Sequence, residues 1–228
     1  WTFARLDRDS DRIAAALAAR GIVPGQRVGL YSVNAPEFAA VYLGILKAGA
    51  TVVPINTMLN PREIAFILDD SGAVALFYHA ALAEAAGQAR RTAAGDWFAV
   101  RIGEGGGGAD PGLEQLLCGA GAPPQPRIDA GEHLAAVLYT SGTTGRPKGA
   151  MLTHANLLAN TASVVQALGL RPGEDRMLVV LPMFHAFAAT VGMLTPLLHG
   201  MGLVIVDRFE PKLVSAAIGR HAATVFLG

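Results

Sequence analysis

The segment between residues 139 and 149 reads Tyr139-Thr140-Ser141-Gly142-Thr143-Thr144-Gly145-Arg146-Pro147-Lys148-Gly149. An apolar run, 134–138, precedes it and predicts a buried strand. A short apolar segment, 150–152, follows it, and Thr153 then predicts the start of a helix. A connection between two strands needs about four residues. A stretch this long and this rich in hydroxyl groups is therefore expected to do more than connect two strands.

The stretch carries three kinds of hydrogen-bond donor: backbone amides next to glycine, hydroxyl groups and an ammonium group. The residues concerned are Gly142, Gly145 and Gly149, then Thr140, Ser141, Thr143 and Thr144, and finally Lys148. Glycine permits positive φ and lets a backbone N–H approach a ligand without a Cβ in the way. Donors that converge on one concavity form an anion site, and Lys148 adds a charge suited to a polyphosphate. The alternative is a polar hairpin turn without a ligand.

The spacing of the glycines excludes one known phosphate loop and matches another. A Walker-type P-loop has four residues between its glycines and a Ser or Thr after its Lys. Here two residues separate Gly142 from Gly145, and Gly149 follows Lys148. The stretch instead resembles the signature of the adenylate-forming enzymes, which comprise acyl-CoA synthetases, firefly-type luciferases and the adenylation domains of peptide synthetases. Their pattern, Tyr-Thr-Ser-Gly-Thr-Thr-Gly-x-Pro-Lys-Gly followed by a His, is met at every fixed position, with His154 as the histidine.

A second motif follows the first by some thirty to forty residues in that family and reads Leu-Pro-x-Phe-His-x-x-Gly. The segment Leu181–Ala188 resembles it, although Ala188 stands where the family usually has Gly. This segment lies at the carboxyl end of a predicted strand, where open α/β sheets place their ligands. A lone histidine there is more often structural. The resemblance, however, implies that Phe184 and His185 border the acyl pocket and the path of the thiol acceptor.

The resemblance extends over all 228 residues but over less than half of a family member. The segments Pro-Met-Phe-His-Ala-Phe and Val-Asp-Arg-Phe-Glu-Pro resemble medium- and long-chain fatty-acyl-CoA ligases more than amino-acid adenylation domains. The downstream Tyr-Gly-x-Thr-Glu motif, the ribose-binding Asp and the C-terminal domain with its catalytic Lys are absent. Residues 1–228 are therefore expected to be the N-terminal part of an AMP-binding domain. No catalytic residue is assigned within them, and the chain alone is expected to be inactive.

The resemblance implies a two-step activation of a carboxylic acid, most closely a fatty acid. ATP, Mg²⁺ and coenzyme A take part: an acyl-adenylate and pyrophosphate form first, and the thiol of coenzyme A then displaces AMP. The ATP phosphates are expected on Thr140, Ser141, Gly142, Thr143, Thr144, Gly145 and Lys148. Either Thr140 or Thr144 is the expected contact of Mg²⁺. Two alternatives stay open, namely an amino-acid or aryl-acid adenylation domain that loads a carrier protein, and a non-catalytic nucleotide-binding module.

The rest of the chain alternates between strand and helix patterns, which predicts an α/β fold with largely parallel sheets flanked by helices. Helix starts are predicted at four N-cap residues: Thr2, Asn34, Asn60 and Thr153. In the first helix an apolar stripe is expected to face the core; it consists of Phe3, Leu6, Ile13 and Leu17. Asp69-Asp70, at the end of a helix, is expected to be a solvated turn. The glycine-rich run 103–108 predicts a surface loop.

Composition excludes several classes of function. The chain is 52% apolar and 16% charged with a formal net charge of zero, so a nucleic-acid partner is not expected. The single cysteine, Cys118, excludes an internal disulfide and suits a reducing compartment such as the cytoplasm. Residues 177–206 contain no charged side chain, but Pro and Gly interrupt them. They predict a strand, a buried helix and a strand rather than a transmembrane helix. Peripheral membrane association and a homodimer stay open.

The histidines give no sign of a metal site. His154 is expected to be structural, with a neutral imidazole that takes part in capping its helix. His79, His133, His199 and His221 have no metal-ligand spacing, and the chain has no second Cys to assist them. No metal ligand is therefore predicted beyond the Mg²⁺ that would accompany ATP.

Overall fold

Helices and strands alternate along the chain in a computed structural model that describes residues 1–105, 109–140 and 146–227. The strands are β1 (Arg27–Tyr31), β2 (Thr51–Pro54), β3 (Ala73–His79), β4 (Phe98–Ile102), β5 (Leu134–Thr140), β6 (Lys148–Thr153), β7 (Arg176–Val179), β8 (Gly202–Ile205) and β9 (Val225–Leu227). The α-helices are α1 (Phe3–Ala19), α2 (Pro36–Lys47), α3 (Pro61–Ser71), α4 (Ala83–Thr92), α5 (Leu113–Leu117), α6 (His154–Leu168), α7 (Thr195–Leu198) and α8 (Pro211–His221). A 3₁₀ turn, Ala80–Leu82, precedes α4, and a π-helical segment, Ala188–Leu194, runs into α7.

In the part of the chain that the structure describes, the strands form two sheets. The first has the order β4-β3-β1-β2-β5-β6 and is parallel except for β6, which runs antiparallel to β5. The second has the order β8-β7-β9 and is parallel throughout. The predicted α/β fold with largely parallel sheets flanked by helices is confirmed. The sequence pattern did not predict that the strands divide between two sheets.

Three of the four predicted N-cap residues, Thr2, Asn60 and Thr153, start their helices as predicted. The Thr2 hydroxyl accepts a hydrogen bond from the N–H of Arg5 at 3.1 Å and starts α1. Asn60 and Glu63 form a reciprocal capping box at the start of α3, and Gly72 ends that helix in the left-handed conformation at φ 61°. Helix α6 begins at a capping box between Thr153 and Asn156. Each of these caps satisfies backbone groups that the helix itself leaves unpaired.

Two predictions about the N-terminal helices are wrong. Asn34 does not cap α2, because Ala35 holds the N-cap position and no side chain bonds there. The amide of Asn34 instead bonds to the backbone around β7 and β8. Phe3 is 50% exposed, although Leu6, Ile13 and Leu17 are buried. Phe3 is the first residue of α1, and its side chain lies beside the open pocket described below rather than under α2.

A single main core joins the two sheets. It contains Val28 and Ala136 from the first sheet and Val179 from the second, together with apolar residues of α1 and α2. Helices α1 and α2 approach so closely that a Cβ added to Gly44 would lie 2.6 Å from the Cβ of Ile13. The absence of a side chain at that position is therefore a packing requirement.

The uncharged run 177–206 consists of β7, the π-helical segment with α7, and β8, as the sequence predicts. Almost all of the π-helical segment and the start of α7 are buried against β7 and α6. Among the described residues, none of the helices combines the length and apolar character that crossing a bilayer requires.

Candidate functional site

The signature stretch forms the connection of a β-hairpin at the edge of the first sheet. Thr140, the last residue of β5, pairs with Lys148, the first residue of β6. Both residues are exposed. Five of the predicted phosphate-binding residues, Ser141, Gly142, Thr143, Thr144 and Gly145, lie outside the described residues. The two ends of the predicted phosphate loop are therefore next to each other at the carboxyl end of β5.

The hairpin register places the two ends of the loop on one face of the sheet. Paired residues of antiparallel strands share a face, and alternate residues along a strand share it too. Thr140 and Lys148 therefore lie on the same face as Ala136 and its partner Leu152. Ala136 belongs to the main core between the sheets, and Leu152 packs against that core. A hydroxyl and an ammonium group at the open end of this face are donors that suit a polyphosphate.

Tyr139 and Gly149 pair on the opposite face, and their contact corrects the role expected of Gly149. A Cβ added to Gly149 would lie 2.7 Å from Cγ1 of Val137 and 3.2 Å from Cζ of Tyr139. Gly149 lies within β6 and its φ is not positive. The Tyr139 ring and the Val137 side chain occupy the space that a side chain at Gly149 would need. The absence of a side chain at Gly149 therefore serves the packing of the hairpin, and the positive φ expected there is not found.

Tyr139 also fixes the hairpin to the end of α3. Its hydroxyl donates a hydrogen bond to Oδ2 of Asp70 at 2.5 Å. Burial, together with the Asp70 carboxylate, raises the pKa of Tyr139 above the usual range of a tyrosine. The neighbouring Asp69 accepts hydrogen bonds from the backbone N–H groups of Ala94 and Gly95, each at 2.9 Å. Asp69 and Asp70 are exposed, as expected of a solvated segment, but they lie in the last turn of α3 and their carboxylates join that helix to other segments.

The histidine that follows the signature plays a structural part, but its imidazole does not cap a helix. The cap of α6 consists of the side chains of Thr153 and Asn156. The backbone N–H of His154 donates to the carbonyl of His133 at 3.2 Å. Nε2 of His154 is buried and has no hydrogen-bond partner among the described residues. Burial, and secondarily the neighbouring His133, lowers the pKa of His154.

The second motif forms a turn directly after β7. The backbone N–H of His185 donates to the carbonyl of Pro182 at 2.9 Å, and the carbonyl of His185 accepts from Ala189 at 2.8 Å. His185 is exposed, whereas Phe184 is half-buried and packs against the main core. Ala188, at the position where the family usually has Gly, is fully buried. The turn therefore presents an imidazole and part of an aromatic ring at the carboxyl end of β7.

The two motifs share their supporting elements. Helix α6 continues from the hairpin that carries Lys148, and it packs against the π-helical segment and α7, which follow His185. Nε2 of His199 and the hydroxyl of Thr161 form a hydrogen bond of 3.3 Å between α7 and α6. Phe184 and the hairpin residue Leu152 pack against the same core. The arrangement places both motifs at carboxyl ends of parallel strands, where open α/β sheets bind ligands.

A large pocket among the described residues lies elsewhere. It has a volume of about 970 Å³ and is lined by the starts of α1 and α2, by β8 and by α8. Trp1, Phe3 and Leu213 contribute apolar wall, and Arg176 and His221 contribute polar groups. Thr140, Lys148, Phe184 and His185 do not line it. Its existence therefore gives no support to the predicted site.

Sequence reasoning missed two residues that hold the site in place. The local pattern around Asn34 predicts a helix cap, but its contacts with the segment around His185 link positions about 150 residues apart, which no local pattern reveals. Tyr139 belongs to the quoted signature, so its position carried a signal, but its partner Asp70 is equally remote in sequence. Among the described residues, no three His, Cys, Asp or Glu side chains group as a metal site. Thr140 is the one predicted Mg²⁺ contact that the structure describes.

Comparison with known proteins adds independent findings. The model of the family described as AMP-binding enzyme matches residues 1–228. Long-chain-fatty-acid–CoA ligase FadD13 of Mycobacterium tuberculosis is 34% identical over 222 residues, which are 95% of this chain and 42% of that protein. A feruloyl-CoA synthase of an Amycolatopsis species is 34% identical over 227 residues, which are 100% of this chain and 43% of that protein.

A solved structure shows the same architecture. The inhibitor-bound N-terminal domain of FACL13 from Mycobacterium tuberculosis superposes on this chain with a TM-score of 0.84 at 32% identity. The match covers 99% of this chain and 55% of that one. The chain thus spans less than half the length of the two curated relatives named above.

Proposed function

Because this chain belongs to the AMP-binding enzyme family, we propose that it is the N-terminal part of an acyl-CoA ligase that activates a carboxylic acid with ATP. One observation carries the proposal. Thr140 and Lys148 are paired, exposed and on one face at the carboxyl end of β5. A hydroxyl and an ammonium group at the two ends of a glycine- and threonine-rich loop suit the phosphates of ATP.

This reaction requires side chains to stabilise the negative charge that develops on phosphate oxygens, and it needs no covalent bond between a side chain and the substrate. In the first step a carboxylate oxygen bonds to the α-phosphorus of ATP, and the bond from that phosphorus to the pyrophosphate oxygen breaks. In the second step the thiol of coenzyme A loses its proton to solvent, its sulfur bonds to the acyl carbon, and AMP leaves with the electron pair of the broken C–O bond. Lys148 would stabilise the negative charge of the departing pyrophosphate, and Thr140 would orient a phosphate oxygen. Mg²⁺ would accompany the triphosphate, with Thr140 or Thr144 as its contact.

The acid is proposed to be a fatty acid, with an aromatic acid as the second candidate. The half-buried Phe184, which packs against the core beside the exposed His185, supports an apolar acyl group at this edge. One relative is named for long-chain fatty acids and another for a feruloyl group, at the same identity to this chain. One relative is named as a CoA ligase and the other as a feruloyl-CoA synthase, which favours coenzyme A over a carrier protein as the acceptor.

The residues needed to complete the reaction are proposed to lie outside residues 1–228. The chain spans 42% of one relative and 43% of another, each of which is named as an enzyme. We expect the 228-residue chain alone to give no turnover of acid, ATP and coenzyme A. Turnover by the purified chain would contradict this part of the proposal.

The test is ATP–pyrophosphate exchange in the complete enzyme with dodecanoate and ferulate as acids. Lys148→Ala should slow the exchange roughly tenfold or more, because a charge-assisted contact to phosphate is lost. Lys212→Ala provides the matched control, since Lys212 is an exposed lysine at the start of α8 and should leave the rate unchanged. An unchanged rate in Lys148→Ala would contradict the role of Lys148. Exchange with neither acid, but with amino acids, would favour the carrier-protein alternative, and ATP binding without any exchange would favour a non-catalytic module.

A further inference from the structure

The side chain of Asn34 has all of its hydrogen-bonding groups engaged by the second sheet. It follows β1 in the chain and is 8% exposed. Nδ2 donates to the carbonyl of Leu181 at 3.0 Å and to that of Val206 at 3.1 Å, and the carbonyl of Val180 lies at 3.4 Å. Oδ1 accepts from the backbone N–H of Met183 at 2.7 Å. One amide therefore meets four backbone groups, none of them on its own sheet.

These partners are the residues that directly follow two neighbouring strands. Val180 and Leu181 come after β7, and Val206 comes after β8. The N–H of Val206 also donates to the carbonyl of Val179 at 2.9 Å, so the two strand ends are held together. Asn34 itself comes after β1 of the first sheet. It therefore joins the carboxyl end of the first sheet to the carboxyl ends of the second.

The bond to Met183 controls the direction of the next residues. Met183 is fully buried in the main core, and its N–H is fixed by Asn34. The chain then turns. The N–H of His185 donates a hydrogen bond to the carbonyl of Pro182, and the N–H of Ala189 donates one to the carbonyl of His185. Asn34 holds the start of this turn through Met183, and the end of the turn runs into the buried π-helical segment. The positions of Phe184 and His185 follow from these two anchors.

We infer that Asn34 is a positioning residue for acid binding: through Leu181 and Met183 it fixes Phe184 and His185 at the acyl edge of the site. The inference rests on the proposed function for the meaning of that edge. Asn34 forms no described hydrogen bond to the hairpin that carries Lys148. Loss of the Asn34 amide should therefore weaken binding of the acid and leave binding of ATP largely unchanged.

Two variants remove the amide in different ways, and one control matches them. Asn34→Ala deletes all four contacts. Asn34→Asp keeps the shape of the side chain but replaces the donating Nδ2 with an oxygen, which would face three carbonyl oxygens that have a donor in the wild type. Asn60→Ala is the control, because Asn60 also accepts two backbone N–H groups, from Arg62 and Glu63 at 3.0 and 3.1 Å, but caps α3.

The first measurement is amide hydrogen exchange of the 228-residue chain, which does not depend on enzyme activity. In Asn34→Ala and Asn34→Asp, exchange should rise about tenfold or more within residues 180–187, because the Met183 N–H and its neighbours lose their anchor. In Asn60→Ala the increase should be confined to the first turn of α3. Should the variants not fold, the wild-type chain still decides: a Met183 amide that exchanges as fast as an unstructured one overturns the inference.

The second measurement is steady-state kinetics of the complete enzyme. We expect the KM for dodecanoate or ferulate to rise about tenfold in Asn34→Ala while the KM for ATP changes less than about twofold. Asn60→Ala should change neither. Equal increases of both KM values, or an unchanged KM for the acid, would overturn the inference. If wild type used neither acid, the proposed function would fail, and hydrogen exchange alone would then decide whether Asn34 positions the segment.

Discussion

Tyr139 donates a hydrogen bond to Asp70 across 69 positions of sequence, at an oxygen–oxygen distance of 2.5 Å. The bond connects β5, at the root of the signature loop, to the last turn of α3. Tyr139 directly precedes Thr140, the last residue of β5, and Asp70 lies two residues before Gly72, which ends α3. The hairpin is therefore held to the body of the first sheet by a side chain as well as by its pairing with β2.

Removal of the Tyr139 hydroxyl should weaken this attachment. Tyr139→Phe keeps the ring that lies over Gly149 and deletes the bond to the Asp70 carboxylate. We expect a loss of about 1–2 kcal/mol in the free energy of unfolding, at the lower end for a hydrogen bond to a charged group because the pair is partly exposed. Urea unfolding of Tyr139→Phe, Asp70→Ala and the double variant measures the coupling. Strictly additive effects of the two substitutions would show that the bond contributes nothing.

The close contact of Gly149 with the Tyr139 ring gives a second prediction. In Gly149→Ala the new Cβ would lie 2.7 Å from Cγ1 of Val137, so the hairpin must shift. We expect a cost of about 1–3 kcal/mol, as for overpacking of a core.

Gly219→Ala is the matched control for that substitution. Gly219 lies inside α8, and a Cβ there meets nothing within 4 Å. The exchange of Gly for Ala in a helix should stabilise the chain by about 0.5–1 kcal/mol. Thermal or urea unfolding compares the two variants. A Gly149→Ala protein as stable as wild type would contradict the packing role of Gly149.

His154 should make the stability of the chain depend on pH. Burial lowers its pKa in the folded state below the ordinary value of 6.5, so the unfolded chain binds a proton at a higher pH than the folded chain does. The stability contributed by the neutral imidazole is therefore complete above about pH 7 and is lost as the pH falls through 6.5 toward the folded pKa. Urea unfolding at about pH 7.5 and pH 5.5 measures the loss.

His154→Gln removes this titration while it keeps a polar side chain of similar length. The variant should lose less stability than wild type between the two pH values. His79→Gln is a control, since His79 is the half-buried last residue of β3 and its side chain, unlike that of His154, accepts a hydrogen bond, from the N–H of Ala81. If wild type and His154→Gln lost the same stability on acidification, the buried imidazole would not be the titrating group.

Local sequence predicted the elements of this fold well because their signals are local. Asn60 with Glu63 and Gly72 bracket α3, and Thr153 starts α6, through caps whose partners lie within three residues. Apolar runs between them predicted buried strands. The capping residues of α3 and α6 act on their own segments, so remote contacts did not change where these two helices begin.

What could not be predicted depends on remote partners. Asn34 is of a residue type that commonly caps helices and stands just before α2, but its amide hydrogen-bonds to four backbone groups about 150 to 170 positions away. The antiparallel pairing of β6 and the division into two sheets also follow from contacts between distant segments. For the site, the motif identified Thr140 and Lys148 as ends of one loop, whereas the face they share follows from the strand register.

The pairing of Tyr139 with Gly149 also limits how the hairpin can change length. Side chains alternate between two faces, so a one-residue slip of β6 would carry the Lys148 ammonium to the side of α3 and place a larger side chain under the tyrosine ring. A single insertion or deletion inside β6 would force one end of the strand to invert, unless a bulge absorbed it. Without such a bulge, insertions and deletions that preserve the site are therefore confined to even numbers of residues within this strand.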